Sequence, residues 1–169
     1  MPLFKIILLL LFLISIQSAY GISEGDIAPD FELKGSDGKV HALKNYKGRT
    51  VVLAWFPKAF TGGWTAECRS LRESEKALEH YKVELFMAST DDHEILKSFA
   101  EKNQAKFPIL SDPTGKTAQQ YGVLNFGKFA SRTTFIISAE GIVLRVIRKV
   151  NPFSAGEDLL DTLKILTGR

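Results

Sequence analysis

Val51-Val52-Leu53-Ala54-Trp55-Phe56-Pro57-Lys58-Ala59-Phe60-Thr61-Gly62-Gly63-Trp64-Thr65-Ala66-Glu67-Cys68-Arg69 is the stretch that decides how this chain folds. Its first six residues form a short, continuous apolar run, the pattern of a strand buried on both faces. Pro57 has no N–H to give a ladder and stops it. Gly62 and Gly63 free the backbone. A helix begins near Trp64 and reads from 66 to 81, with Cys68, Leu71, Leu78 and Tyr81 on one face. Arg69, Arg72, Glu73, Lys76 and Glu79 fall mostly off that face. The result is a strand–loop–helix corner of an α/β sheet, and reactive groups gather outside the carboxyl ends of such strands. The helix start favours anions, because its first N–H groups are unpaired and its dipole is positive there. A cysteine in the first turn would be acidified. Here that turn holds Trp64, and Cys68 follows one turn later.

Upstream, residues 30–43 read as a hairpin, with alternating Phe31-Glu32-Leu33 and Val40-His41-Ala42-Leu43 around Gly35-Ser36-Asp37-Gly38. Downstream, 83–89 is a second buried strand, and Thr90 or Asp91 is positioned to cap a helix over 92–103. A short strand at 107–110 and a short helix at 116–121 follow. Strands at 134–138 and 142–150 flank Ala139-Glu140-Gly141, and a last helix covers 155–166. Alternating strands and helices, then a hairpin and a terminal helix, predict a three-layer α/β domain.

The chain has 169 residues and a net charge of +3, with one of its basic residues, Lys5, in the leader. That excess is too small and too scattered to argue for nucleic acid or an anionic membrane as a partner. Residues 1–21 read as a secretory signal: Lys5, an apolar run from Ile6 to Ile16, then small residues at Ala19 and Gly21. The run is short for a membrane span, which needs about 20 apolar residues; an uncleaved anchor is the alternative. The domain is expected over 22–169, working outside the cytoplasm. The lone Cys68 rules out an intramolecular disulfide framework and a Cys-x-x-Cys dithiol site. His41, His80 and His93 are too scattered for a metal site and read as solvated; no cofactor is called for. Trp55 reads as core. Lys58 and Lys128 are placed at a pocket mouth, and Arg145, Arg148 and Lys149 on a solvated strand edge.

Pro57-x-x-x-Thr61-x-x-64, with Glu67 three residues on and Arg132 in Ser131-Arg132-Thr133-Thr134-Phe135-Ile136-Ile137, resembles the peroxiredoxin signature. The flanks Phe56-Pro57-Lys58-Ala59-Phe60-Thr61 and Phe107-Pro108-Ile109-Leu110-Ser111-Asp112 are similar to its bacterioferritin-comigratory, PrxQ-type branch. The resemblance spans roughly residues 24–166. It implies a thioredoxin-like fold with an N-terminal β-hairpin. It also implies a peroxidase acting on hydrogen peroxide or organic hydroperoxides, with a thioredoxin-like or small-thiol reductant, as a monomer or weak dimer. By the same resemblance a nucleophile at position 64 attacks the O–O bond and becomes a sulfenic acid. Arg132 supplies fixed charge, Thr61 a hydroxyl, Gly63 and residue 64 an N–H anion site, Pro57 a shield from water, and Glu67 orients an arginine.

The departure is Trp64, where the family has cysteine or, in some members, selenocysteine. An indole has one N–H donor and no nucleophile. Three readings stand open: a selenocysteine codon, UGA, translated as tryptophan; a true tryptophan in a silent binding module; or a replaced or misread cysteine. Cys68 is either a resolving residue or a small apolar packing residue. A bridge between 64 and 68 would require local unwinding, since an i,i+4 pair does not match relaxed bridge geometry.

Overall fold

The computed structural model describes residues 21–168. The leader expected over 1–21 therefore lies almost wholly outside the described residues. The hairpin is β1 (Glu32–Gly35) and β2 (Val40–Ala42), followed by a 3-10 turn, Leu43–Tyr46. Then come β3 (Thr50–Trp55), α1 (Gly62–Glu73), α2 (Glu75–Glu79), β4 (Val83–Ser89), α3 (His93–Asn103) and β5 (Ile109–Ser111). After α4 (Lys116–Gln120), a small hairpin forms from β6 (Leu124–Asn125) and β7 (Phe129–Ala130). β8 (Thr133–Ile137), β9 (Val143–Ile147) and α5 (Ala155–Thr167) complete the domain.

The main sheet runs β2-β1-β5-β4-β3-β8-β9. β3 pairs in parallel with β4 and antiparallel with β8, so it sits near the middle of the sheet. The α/β class and the N-terminal β-hairpin expected from the sequence are what the chain adopts. The period of 2 in β3 divides the core. Val52, Ala54 and Phe56 face a cluster with Trp64, Cys68, Leu71, Phe99, Leu159 and Leu163, beneath α1, α3 and α5. Val51, Leu53 and Trp55 face the other cluster, with Phe31, Phe86, Tyr121 and Phe135. Among the described residues no helix is long and apolar enough to cross a membrane.

Three local readings are corrected. The helix expected over 66–81 begins at Gly62 and breaks at Ser74 into α1 and α2. The amino end of α5 lands at that break: Gly156 N donates to Ser70 Oγ (3.0 Å), and a side chain at Gly156 would collide with Ser74. The β6–β7 hairpin has two-residue strands, too short to leave an alternation in the sequence. His41 is buried rather than solvated. Its ring lies between Asp37 in the hairpin turn (Nε2–Oδ1, 3.0 Å) and the Tyr46 hydroxyl (2.6 Å), and it packs against Phe86. His93 is also enlisted, its Nε2 lying 3.1 Å from the Gly35 carbonyl oxygen.

Candidate active site

β3 ends at Trp55, although Phe56 N still donates to Ala88 O at 3.0 Å. Pro57 is half-buried where the chain leaves the sheet. The loop is held from outside: Ala59 N donates to Asp91 Oδ2 (2.7 Å), and Asp91 is itself fixed by the Ser89 hydroxyl at 3.0 Å. Sequence reasoning assigned Asp91 only a possible helix cap. Nothing in the sequence around Asp91 signals that its carboxylate reaches a loop 32 residues earlier. The cap position is Asp92.

Thr61 is the residue before α1, with extended backbone (φ −92°, ψ 152°) and no side-chain cap bond. Its hydroxyl donates instead to Lys58 O at 3.2 Å, and the residue is exposed. Gly62 and Gly63 occupy the first turn, where backbone N–H groups have no intrahelical acceptor. Gly63 has a second use, not visible in the sequence. A Cβ there would lie 3.2 Å from an Arg132 guanidinium nitrogen, so a side chain would crowd the arginine off the helix start.

Arg132 stands one residue before β8, whose Thr133 pairs with Trp55. That register carries the arginine to the carboxyl end of β3. Its guanidinium donates to Glu67 Oε2. Glu67 is fully buried, whereas the Arg132 side chain keeps 19% of its exposure. Burial pushes the Glu67 carboxyl up, to about 7, against the opposing pull of Arg132. Glu67 Oε1 finds no hydrogen-bond partner among the described residues. One end of the arginine is thus anchored to α1, and the other side of the guanidinium lies over the first turn at Gly63.

Trp64 departs from the placement its position suggested. Its side chain does not open on the loop surface but is fully buried. It is stacked between Phe56 (centroids 3.9 Å, 11° between planes) and Phe99 (3.2 Å, 14°). Its Nε1 has no partner among the described residues. The physical reason is the helix phase: position 64 shares a face with Cys68 and Leu71, which points at the sheet. Cys68 is free and buried, and burial raises its thiol to about 12. A neutral, enclosed thiol is a poor substitute nucleophile. Among the described residues no cluster of three metal-binding side chains occurs. A separate cleft of about 290 Å³ beside Leu43, Tyr46, Val51 and Ala139 lies at the other end of the sheet and contains none of these residues.

The chain is similar to known proteins. The description AhpC/TSA family matches residues 25–146. Peroxiredoxin Bcp of Bacillus subtilis is 35% identical over 150 residues, covering 85% of this chain and 96% of its own. The chloroplastic peroxiredoxin Q of Triticum aestivum is 33% identical over 147 residues, covering 86% and 67%. Among solved structures, peroxidoxin BcpB from Mycobacterium tuberculosis superposes with a TM-score of 0.78 at 32% identity, over 86% of this chain and 98% of that one. A PrxQ from Xylella fastidiosa reaches a TM-score of 0.81 at 21% identity, over 88% and 99%, a likeness of fold. The chain belongs to the AhpC/TSA family, on its peroxiredoxin Q/Bcp branch.

Proposed function

We propose that this chain is a peroxiredoxin-type, thiol-dependent peroxidase. It reduces hydrogen peroxide or organic hydroperoxides with electrons from a thioredoxin-like or small-thiol donor, and its nucleophile belongs at position 64. The observation that carries the reading is the buried Glu67–Arg132 pair held over a glycine-lined helix start. A packed core has no use for a guanidinium anchored by a fully buried carboxylate that keeps one oxygen unpartnered. Such pairs are weak sources of stability. A fixed cation beside free N–H groups does suit a thiolate or selenolate and the oxygen leaving it.

The aromatic stack supports a smaller residue at 64. Aromatic pairs favour centroid separations of roughly 4.5–7 Å, and the indole is closer than that to both neighbours. An indole N–H enclosed without an acceptor adds a desolvation cost. A selenocysteine whose codon is read as tryptophan accounts for both features. Attack by a selenolate or thiolate there breaks the O–O bond, releases an alcohol or water after proton transfer, and leaves a selenenic or sulfenic acid. Two thiols of the donor then reduce it, its oxygen leaving as water, and leave as a disulfide. Cys68, one turn along the same face, is the nearest internal partner for a resolving step once α1 unwinds locally. Export through residues 1–21 is part of the same proposal.

The test is direct. Mass spectrometry of the peptide spanning residue 64, from the native source, identifies the side chain. In parallel, Trp64→Cys should consume peroxide with a thiol reductant, on the order of 10⁶-fold above the uncatalysed rate, the lower end of enzymic acceleration. Arg132→Ala in that background should lose about 10²–10³-fold, the cost of removing one preorganised charge donor. A folded Trp64→Cys protein that consumes no peroxide overturns the reading.

A further inference from the structure

The carboxyl end of β3 carries a feature that peroxide chemistry does not require. Phe31, Phe56, Phe86, Phe99, Phe107 and Phe135 are buried, as phenylalanines usually are. Phe60, Phe126, Phe129 and Phe153 are exposed, and all four project from this one end of the sheet. Phe60 is in the site loop. Phe126, 99% exposed, forms the tip of the β6–β7 hairpin, and Phe129 follows it. That hairpin is tied to the site by the Thr90 hydroxyl, which donates to Lys128 O at 2.7 Å. Phe153 follows Pro152, which packs beside Gly63.

Lysines are interleaved with these rings. Lys58 Nζ lies 5.7 Å from the centre of the Phe129 ring, and Lys102 Nζ 5.6 Å from that of Phe60. Phe60 and Phe126 hold left-handed backbone (φ 58° and 48°), a costly conformation for a bulky residue. Exposed aromatic rings alternating with ammonium groups match a bilayer interface, where rings enter the headgroup region and lysines meet anionic lipid.

The described amino-terminal residues start at the same end. Arg148, just past β9, donates to Ile22 O at 2.8 Å, and β9 ends beside the start of β8, with Ile147 opposite Thr134. From Ile22 the chain runs along β9 away from the site, Gly25 N donating to Val143 O and Ala28 N to Gly141 O. Ile22, where the domain is expected to begin, therefore lies at the site end.

We infer that this end of the molecule docks on an anionic lipid bilayer, with Phe126 and Phe153 inserted and Lys58 and Lys128 against the headgroups. The active-site loop then faces the lipid surface. The inference goes beyond the peroxidase reading and is read out by binding, so either can fail without the other.

The experiment is cosedimentation of the chain from Ile22 onward, which contains every described strand, helix and core residue, with vesicles. One set is phosphatidylcholine containing phosphatidylglycerol; the other is phosphatidylcholine alone. Binding to the anionic vesicles is expected, weakened about fivefold by Lys58→Gln or Lys128→Gln. Phe126→Ser with Phe153→Ser should weaken it at least about tenfold. These surface variants leave the core intact, and their circular dichroism should match the parent. Equal binding to both vesicle sets overturns the inference, as does no binding, or binding that the phenylalanine variants leave unchanged. A dimer whose dissociation follows the same phenylalanine substitutions also overturns it, because the patch is then covered by a second copy.

Discussion

The two tryptophans, one on each side of β3, are both fully buried, and both lack a partner for the indole N–H among the described residues. Their surroundings differ. Trp55 meets Tyr121 at 6.2 Å and 46°, inside the usual range for aromatic pairs. Trp64 is pressed nearly parallel between Phe56 and Phe99. Trp55 keeps ordinary aromatic spacing; Trp64 is packed closer to both of its neighbours. Equal burial therefore hides different packing, and neighbour geometry separates the two.

The comparison breaks most sharply on stability. Trp55→Ala should cost about 3–5 kcal/mol in chemical denaturation, the usual loss for truncating a buried large aromatic. Trp64→Cys should cost less than about 2 kcal/mol, because relieving an overfilled site offsets part of the lost burial. Equal losses would make Trp64 an ordinary core residue.

The buried ion pair sharpens the contrast through pH. The Glu67 carboxyl is raised from 4.5 to about 7, so the folded protein holds a proton that the unfolded chain has released across that interval. Its contribution is complete below about 4.5 and is lost as pH rises through about 7. Arg132→Ala should destabilise by about 3 kcal/mol at pH 8, where Glu67 must either stay charged without its partner or take up a proton. The loss should be clearly smaller at pH 5, where the carboxyl is neutral. Glu67→Gln should flatten this part of the stability–pH profile. A pH-independent Arg132→Ala penalty would show that packing, not charge, is what the arginine supplies.

The smallest effect belongs to Cys68. With its thiol raised to about 12 and enclosed, alkylation should be about a hundredfold slower in the native protein than in denaturant. Cys68→Ala should cost about 1 kcal/mol. Rapid native labelling would mean that α1 opens readily, as a resolving role demands.

Sequence alone determined most elements of the domain and the strand–loop–helix corner that carries its candidate site. A β-branched and aromatic run stopped by Pro57, the glycine pair, and helical apolar spacing are local signals, and local sterics enforce them. The spacing of Pro57, Thr61 and Glu67, with the distant Arg132, also named the family. What only the tertiary structure decided arises from contacts between segments far apart in the chain. Asp91 holds the site loop, Gly63 makes room for Arg132, and His41 is enclosed by Asp37 and Tyr46. Exposure of four phenylalanines at one end is of the same kind, because a sequence shows that a residue is apolar but not whether the sheet leaves it covered. Trp64 joins both halves. Its identity was plain in the chain, but its misfit came from Phe56 and Phe99, brought against it by β3 and α3.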